Sequence, residues 1–162
     1  MKSVLFVCLG NICRSPAAEG AFLNLLYQEN RAHEFKVDSA GTTGHHSGEK
    51  ADPRMIERAE ARGILLPSIA RKFEASDFEH YDLIICMDKN NLANVKKLDL
   101  HNKFADKIFL MTDFIKNQKN QDIPDPYYGG SKDFDLVLDL VQEGAQGLLE
   151  FIDNNESKFQ KK

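Results

Sequence analysis

The sequence predicts an α/β domain with an open, mostly parallel sheet and helices on both faces. Short apolar runs that are typical of buried strands alternate along the chain with stretches whose apolar residues recur at helical spacing. Such alternation favours right-handed β-α-β crossovers and a parallel sheet. The length of 162 residues suits a single domain, and 42% hydrophobic and 28% charged residues indicate a globular chain.

The amino-terminal half is predicted to contain two strands and two helices. An apolar run over residues 4–8 predicts the first strand, and helical spacing over 16–27 predicts the first helix. A second strand is expected over residues 35–40. The Asp52-Pro53 pair then opens a helix, because Asp is a preferred N-cap residue and Pro suits the first helical position.

The carboxyl-terminal half is predicted to continue the alternation. Apolar runs within 81–87 and 107–111 predict the third and fourth strands, and Asp88 is expected to cap the helix between them. A loop over 117–132 precedes a final amphipathic helix over 134–151. The folded domain is expected to span residues 1–156, and the basic tail over 157–162 is expected to fray.

The segment between the first strand and the first helix carries the strongest chemical signal. Cys8 and Arg14 stand with five residues between them, and a Gly-Asn pair turns the chain before a Ser-Pro pair opens the helix. A tight loop here points backbone N–H groups inward, where the positive end of the helix dipole adds to them. This cradle suits a phosphate. It would favour the thiolate form of Cys8, and Arg14 can bind two phosphate oxygens at once.

This loop resembles the signature loop of the low-molecular-weight protein tyrosine phosphatases, in the run Cys8-Leu9-Gly10-Asn11-Ile12-Cys13-Arg14-Ser15. The resemblance continues, in order, through the motifs DSAGT (38–42), DPR (52–54), AR (70–71), CMD (86–88) and DPYYG (125–129). It implies four parallel strands in the order 2-1-3-4, with the phosphate loop directly after the first. It also implies a phosphotyrosine hydrolase that forms a phosphocysteine intermediate and uses no cofactor.

A cysteine nucleophile requires a group that protonates the departing alcohol. Two Asp-Pro pairs are available. Asp52 stands directly before a helical stripe, where a capping role is sufficient, whereas Asp125 lies in an irregular loop between two prolines that stiffen the backbone. The residues alone leave Asp125 equally well explained as a solvated turn residue. The resemblance implies that Asp125 is the general acid and base.

The other predicted site residues surround these groups. Ser15 can donate a hydrogen bond to the catalytic thiolate or simply cap the helix. Asn11 is expected to adopt a left-handed conformation, and the resemblance implies Ser39 as its partner. Tyr127 and Tyr128 either form the walls of a slot for an aromatic ring, which would favour phosphotyrosine, or are surface tyrosines. The predicted substrate-binding set is Leu9, Gly10, Asn11, Ile12, Cys13, Ser15, His45, Tyr127 and Tyr128.

Three further positions affect regulation and specificity. Cys13 is a second sulfur in the loop, and the resemblance implies that it captures oxidised Cys8 as a reversible disulfide; the alternative is a small buried residue. His45 stands where many relatives carry a tryptophan beside the pocket. Ser68 replaces a histidine that often supports the loop asparagine. The two departures concern substrate preference and loop rigidity, because neither removes a catalytic group.

Three other functions fit parts of this pattern. Arsenate reductases of the same fold relay a disulfide through additional cysteines, and Cys86, within an apolar strand, is the only cysteine outside the loop here. Protein-arginine phosphatases share the fold and loop but typically carry Thr where this chain has Ile12. A phosphopeptide-binding module would need neither a nucleophile nor an acid, so the presence of both disfavours it.

Composition predicts the compartment and the class of partner. A net charge of −4 disfavours nucleic-acid and membrane-surface roles. Three cysteines, with no secretory signal and no apolar run of membrane-spanning length, predict a cytoplasmic protein. Adjacent His45 and His46 lack a third ligand at metal-like spacing, so no metal site is predicted. The expected partner is a phosphotyrosine-bearing protein, with a tyrosine autokinase as one candidate, and the expected state is a monomer or weak dimer.

Overall fold

The computed structural model describes residues 1–159 and confirms the predicted parallel sheet. Its strands are β1 (Lys2–Cys8), β2 (Phe35–Gly41), β3 (Leu83–Cys86) and β4 (Ile108–Leu110). All neighbouring strands pair in parallel, in the spatial order β2-β1-β3-β4. This is the order 2-1-3-4 that the resemblance implies, and it places β1 in the interior of the sheet.

In the described part of the chain, five α-helices connect and cover the strands: α1 (Arg14–Gln28), α2 (Pro53–Glu60), α3 (Asp77–His80), α4 (Lys89–Leu98) and α5 (Ser131–Asn154). The sequence did not predict α3, because a single turn is too short to show a helical period. The last helix starts earlier than predicted, since the Asp133 carboxylate accepts the Gly130 N–H at 2.8 Å and caps the first turn. Within residues 1–159, no helix is long and apolar enough to cross a bilayer.

The two faces of the sheet bury separate apolar clusters. Phe6 on β1 belongs to a cluster with residues of α1, α2 and α5, and Leu5 on the same strand belongs to a cluster with residues of α3 and α4. Both side chains have no exposed surface. Successive strand residues point to opposite faces, so burial on both sides explains why β1 is a continuous apolar run. The packing fixes the carboxyl end of β1, where Cys8 lies.

The structure describes the first three residues of the predicted tail. Residues 157–159 belong to a 3₁₀ turn, Glu156–Phe159, and Phe159 packs against the larger apolar cluster. The Lys2 ammonium lies 2.9 Å from the Glu156 carboxylate, which ties this turn to the start of β1. Residues 160–162 of the predicted tail lie outside the described part of the chain.

Candidate active site

A cavity of about 390 Å³ opens at the carboxyl edge of the sheet, directly beyond β1. Ligands of parallel α/β sheets bind at this edge. Cys8 and Arg14 of the phosphate loop (residues 8–15) both line the cavity, and each is only 3% exposed. Its lining residues are Cys8, Leu9, Gly10, Ile12, Cys13, Arg14, Thr43, His45, His46, Asp125, Tyr127 and Tyr128.

Neighbouring backbone groups hold the phosphate loop in place. The carbonyls of Cys8 and Leu9 accept from the N–H groups of Thr42 and Thr43 at 2.9 and 3.0 Å, and the Ile12 carbonyl accepts from Asp52 at 2.8 Å. Among the described residues, no backbone N–H of 9–13 donates to a protein acceptor. Outward carbonyls and unpaired N–H groups form the anion-binding arrangement that the sequence predicts.

The Cys8 thiol is in direct contact with a hydroxyl. The Cys8 Sγ atom lies 3.0 Å from the Oγ atom of fully buried Ser15, in the first turn of α1. Asn11 adopts the predicted left-handed conformation, with φ 59°. Its amide nitrogen donates to Ser15 Oγ at 2.8 Å and to Ser39 Oγ at 2.9 Å. The structure therefore joins Ser39, Asn11, Ser15 and Cys8 in one hydrogen-bonded chain.

Two residues that sequence reasoning missed complete this network. The Arg71 backbone N–H donates to Asn11 Oδ1 at 3.0 Å, and the Ser39 hydroxyl donates to Glu19 Oε1 at 2.6 Å. Ser68 is buried, but its hydroxyl has no hydrogen-bond partner among residues 1–159. Ser68, where the sequence departs from the family pattern, is thus not part of the network around Asn11. The Asn11 side chain is held instead by the Arg71 N–H and the Ser39 hydroxyl.

Arg14 is oriented by groups from two other parts of the chain. One terminal nitrogen of its guanidinium donates to Asp88 at 2.6 Å and to the Ile123 carbonyl at 3.0 Å. Asp88 also caps α4 as predicted, because its other oxygen accepts the Asn91 N–H at 2.7 Å. Its contact with Arg14 was not predicted. The position of Asp88 just after β3 could have indicated this contact, since the carboxyl ends of parallel strands meet at one edge of the sheet.

The structure separates the two Asp-Pro pairs as the sequence predicts. Asp52 is the N-cap of α2, and one of its oxygens accepts the Arg54 N–H at 2.9 Å. Asp125 instead lines the cavity, with one carboxylate oxygen 3.7 Å from Arg14 and the other accepting the Tyr127 N–H at 3.1 Å. Its side chain is 43% exposed, so it can reach both a bound ester and water.

The environment of the Cys13 thiol favours its neutral form. Burial raises its pKa, and the nearby Asp52 carboxylate raises it further. The Cys13 thiol donates a weak hydrogen bond to Asp52 at 3.9 Å. It is therefore held in the neutral form at neutral pH, and its proposed capture of oxidised Cys8 stays a prediction. The Cys86 thiol is fully buried in β3, and burial raises its pKa as well, as expected for an inert core residue.

Two tyrosines and two histidines line part of the cavity. Tyr127 and Tyr128 meet edge to face with ring centroids 5.0 Å apart, and Tyr128 is 97% exposed. His45 lines the cavity as predicted, and His46, which the prediction left out, lines it as well. The His46 ring packs so close to Gly10 that a Cβ atom added there would lie 3.1 Å from it. The Nδ1 atom of His46 contacts the Glu49 carboxylate at 2.6 Å. Adjacent histidines in a loop give no sequence signal that distinguishes which one packs inward.

Both the sequence and the fold are similar to those of known phosphatases. The sequence profile described as "Low molecular weight phosphotyrosine protein phosphatase" matches residues 3–158. The Homo sapiens protein of that name is 38% identical over 149 residues, covering 92% of this chain and 94% of the human one. The crystal structure of a protein tyrosine phosphatase from Entamoeba histolytica superposes with a TM-score of 0.91 at 37% identity, covering 96% and 99% of the two chains. A Drosophila arginine phosphatase superposes at 0.87 with 30% identity and the same coverage.

Proposed function

Because the chain belongs to the low molecular weight phosphotyrosine protein phosphatase family, we propose that it hydrolyses phosphotyrosine through a phosphocysteine on Cys8. It is a hydrolase of the protein tyrosine phosphatase class, and its substrates are phosphoproteins. One observation supports the assignment of residues most directly. Cys8, Arg14 and Asp125, from distant parts of the sequence, line the same cavity.

In the first step, the Cys8 thiolate attacks phosphorus while the bond to the tyrosine oxygen breaks. The backbone N–H groups of 9–13 and the Arg14 guanidinium bind the three equatorial oxygens, whose charge must be stabilised in the transition state. Asp88 fixes one guanidinium nitrogen at 2.6 Å, which leaves the rest of the fork to orient phosphate. Protonated Asp125 donates its proton to the departing phenolate.

In the second step, water attacks the phosphocysteine and the thiolate departs. Ionised Asp125 accepts a proton from the water, which restores its acid form and releases inorganic phosphate. Ser15 stabilises the departing sulfur, because its hydroxyl accepts from Asn11 at 2.8 Å and can direct its own proton to Cys8 at 3.0 Å. The cycle consumes one water and needs no redox partner.

The residues around the cavity favour phosphotyrosine over phosphoarginine. Ile12 and Tyr127 line it, and both present apolar surface to the leaving group. An aromatic ring packs well against such surface, whereas a guanidinium there gains no hydrogen bond from Ile12. Protein-arginine phosphatase activity is the second candidate, because a Drosophila arginine phosphatase has the same fold at 30% identity.

Phosphate release from matched peptides containing phosphotyrosine, phosphoserine or phosphoarginine distinguishes these candidates. With EDTA present, we expect the phosphotyrosine peptide to have a kcat/KM higher by roughly 100-fold or more, since a site that fits one leaving group rejects others by such factors. Ile12→Thr, which supplies a hydroxyl at the same position, should raise the relative rate on phosphoarginine. A wild-type preference for phosphoarginine would establish the second candidate instead.

The cellular setting is part of the same proposal. The partner is a phosphotyrosine-bearing protein, with a tyrosine autokinase as one candidate. The protein acts in the cytoplasm as a monomer or weak dimer. The net charge of −4 supports the class of partner, since it disfavours nucleic acid and anionic membrane surfaces.

A further inference from the structure

Glu19 is a buried carboxyl group to which the reaction gives no role. It lies on α1, is 5% exposed, and accepts a hydrogen bond from Ser39 Oγ at 2.6 Å. The positive charge of Arg71 acts to lower the pKa of Glu19, but the guanidinium itself is bound to Asp38 at 3.2 Å and to Asp77 at 3.1 Å. Burying an ionisable group is unfavourable unless its environment compensates. A buried carboxyl beside a catalytic network is therefore a candidate functional group.

The direction of each hydrogen bond connects Glu19 to the nucleophile. Ser39 donates its proton to Glu19, so its oxygen is available to accept the Asn11 amide at 2.9 Å. The second amide proton of Asn11 goes to Ser15 Oγ at 2.8 Å. The Ser15 proton can then go to the Cys8 sulfur at 3.0 Å, since its other acceptor, the Ala40 carbonyl, lies farther away at 3.4 Å. A carboxylate can only accept, so it determines the orientation of the first hydroxyl in this chain.

We propose that Glu19 is a positioning residue for the Cys8 nucleophile, acting through Ser39, Asn11 and Ser15. The proposal rests on the function proposed above, because it assigns the sulfur of Cys8 as the group that benefits. Without the carboxylate, the Ser39 hydroxyl loses its acceptor and is free to turn. The Asn11 side chain is then held less firmly, and the Ser15 proton points less consistently at the thiolate.

The surroundings of Glu19 explain how its charge state is set. Burial raises the pKa of Glu19 to about 7, while the hydrogen bond from Ser39 acts to lower it. Asp38 on β2 contributes to this raised pKa, and Arg71, between α2 and α3, acts against it. The acceptor form that the network requires is thus favoured as pH rises through neutrality. Cys8, at the far end of the chain, is the group whose reactivity should respond.

The test compares Glu19→Ala and Glu19→Gln with Glu29→Gln, which makes the same change at an exposed position on the carboxyl-terminal side of α1. Two quantities are measured: the pKa of the Cys8 thiol, from iodoacetate inactivation against pH, and kcat/KM for p-nitrophenyl phosphate. We expect Glu19→Ala to raise the thiol pKa by about one unit and to lower kcat/KM about tenfold. Glu19→Gln should lower kcat/KM roughly threefold. Glu29→Gln should match the wild type.

A double variant tests the route of the effect. Because Glu19 acts through Ser39, Glu19→Gln combined with Ser39→Ala should lose no more activity than Ser39→Ala alone. Multiplicative losses would overturn the proposed route. Wild-type thiol pKa and kcat/KM in Glu19→Gln would overturn the proposal, whether or not Glu19→Ala folds. Full turnover by Cys8→Ser would instead overturn the proposed function, so the two failures are distinguishable.

Discussion

Cys8→Ser is expected to abolish phosphate release while leaving phosphate or vanadate binding measurable. A serine hydroxyl is not ionised at neutral pH and is a far weaker nucleophile than a thiolate, so the first step should slow by ~10⁵-fold or more. Binding should persist because the N–H groups of residues 9–13 and the Arg14 guanidinium do not depend on the sulfur. Steady-state release and vanadate titration of the same preparation measure both properties.

Cys86→Ala is the matched control for this variant. Cys86 is a fully buried thiol on β3 and does not line the cavity. Its truncation should lower stability by about 1 kcal/mol or somewhat more, because it leaves a small cavity in the core, and should leave kcat near the wild-type value. Turnover by Cys8→Ser comparable to that of Cys86→Ala would remove Cys8 from its assigned role.

Asp125→Asn is expected to slow hydrolysis in proportion to how poor the leaving group is. The asparagine side chain cannot supply a proton, so phenyl phosphate and phosphotyrosine should lose about 10²–10⁴-fold in kcat/KM. p-Nitrophenyl phosphate should lose much less, since its phenolate departs readily without protonation. A series of aryl phosphates, plotted as rate against leaving-group pKa, measures the difference as a steeper slope for the variant.

Asp122→Asn controls for a general effect on the same loop. The Asp122 carboxylate accepts the Lys89 N–H at 2.9 Å and does not line the cavity, and asparagine can accept the same bond. This variant should retain the wild-type slope. Equal losses on activated and poor substrates in Asp125→Asn would show that the residue positions the substrate and is not a general acid.

The sequence could predict the parts of this molecule that depend on local order along the chain. The buried run of β1, the turn after it and the start of α1 are contiguous, so the relation of Cys8 to Arg14 is determined by a few bonds and a helix dipole. Asp52 was separable from Asp125 because capping is also local. The strand order needed the family resemblance, since pairing between distant segments leaves little local signal.

Contacts between distant segments could not be predicted from the residues alone. In the sequence, Asp88 is indistinguishable from an ordinary helix cap and Glu19 from an ordinary helix carboxylate. Only the fold places Asp88 beside Arg14 and Glu19 beside Ser39. His46 packs against Gly10 of the phosphate loop. Which of two adjacent histidines does so depends on the conformation of the turn that carries them. Charged side chains are normally exposed, so burial of Glu19 is visible only once α1 is seen against β2.

The phosphoryl group is expected to pass through the Cys8 sulfur on its way from substrate to water. The most direct test is to react the enzyme with a fast substrate such as p-nitrophenyl phosphate, quench within milliseconds, and map the phosphorylated peptide by mass spectrometry. We predict a phosphate on Cys8 that forms with a burst of p-nitrophenolate and disappears as substrate is exhausted. A burst-free reaction with no phosphopeptide, or a phosphate carried by any other residue, would contradict the mechanism.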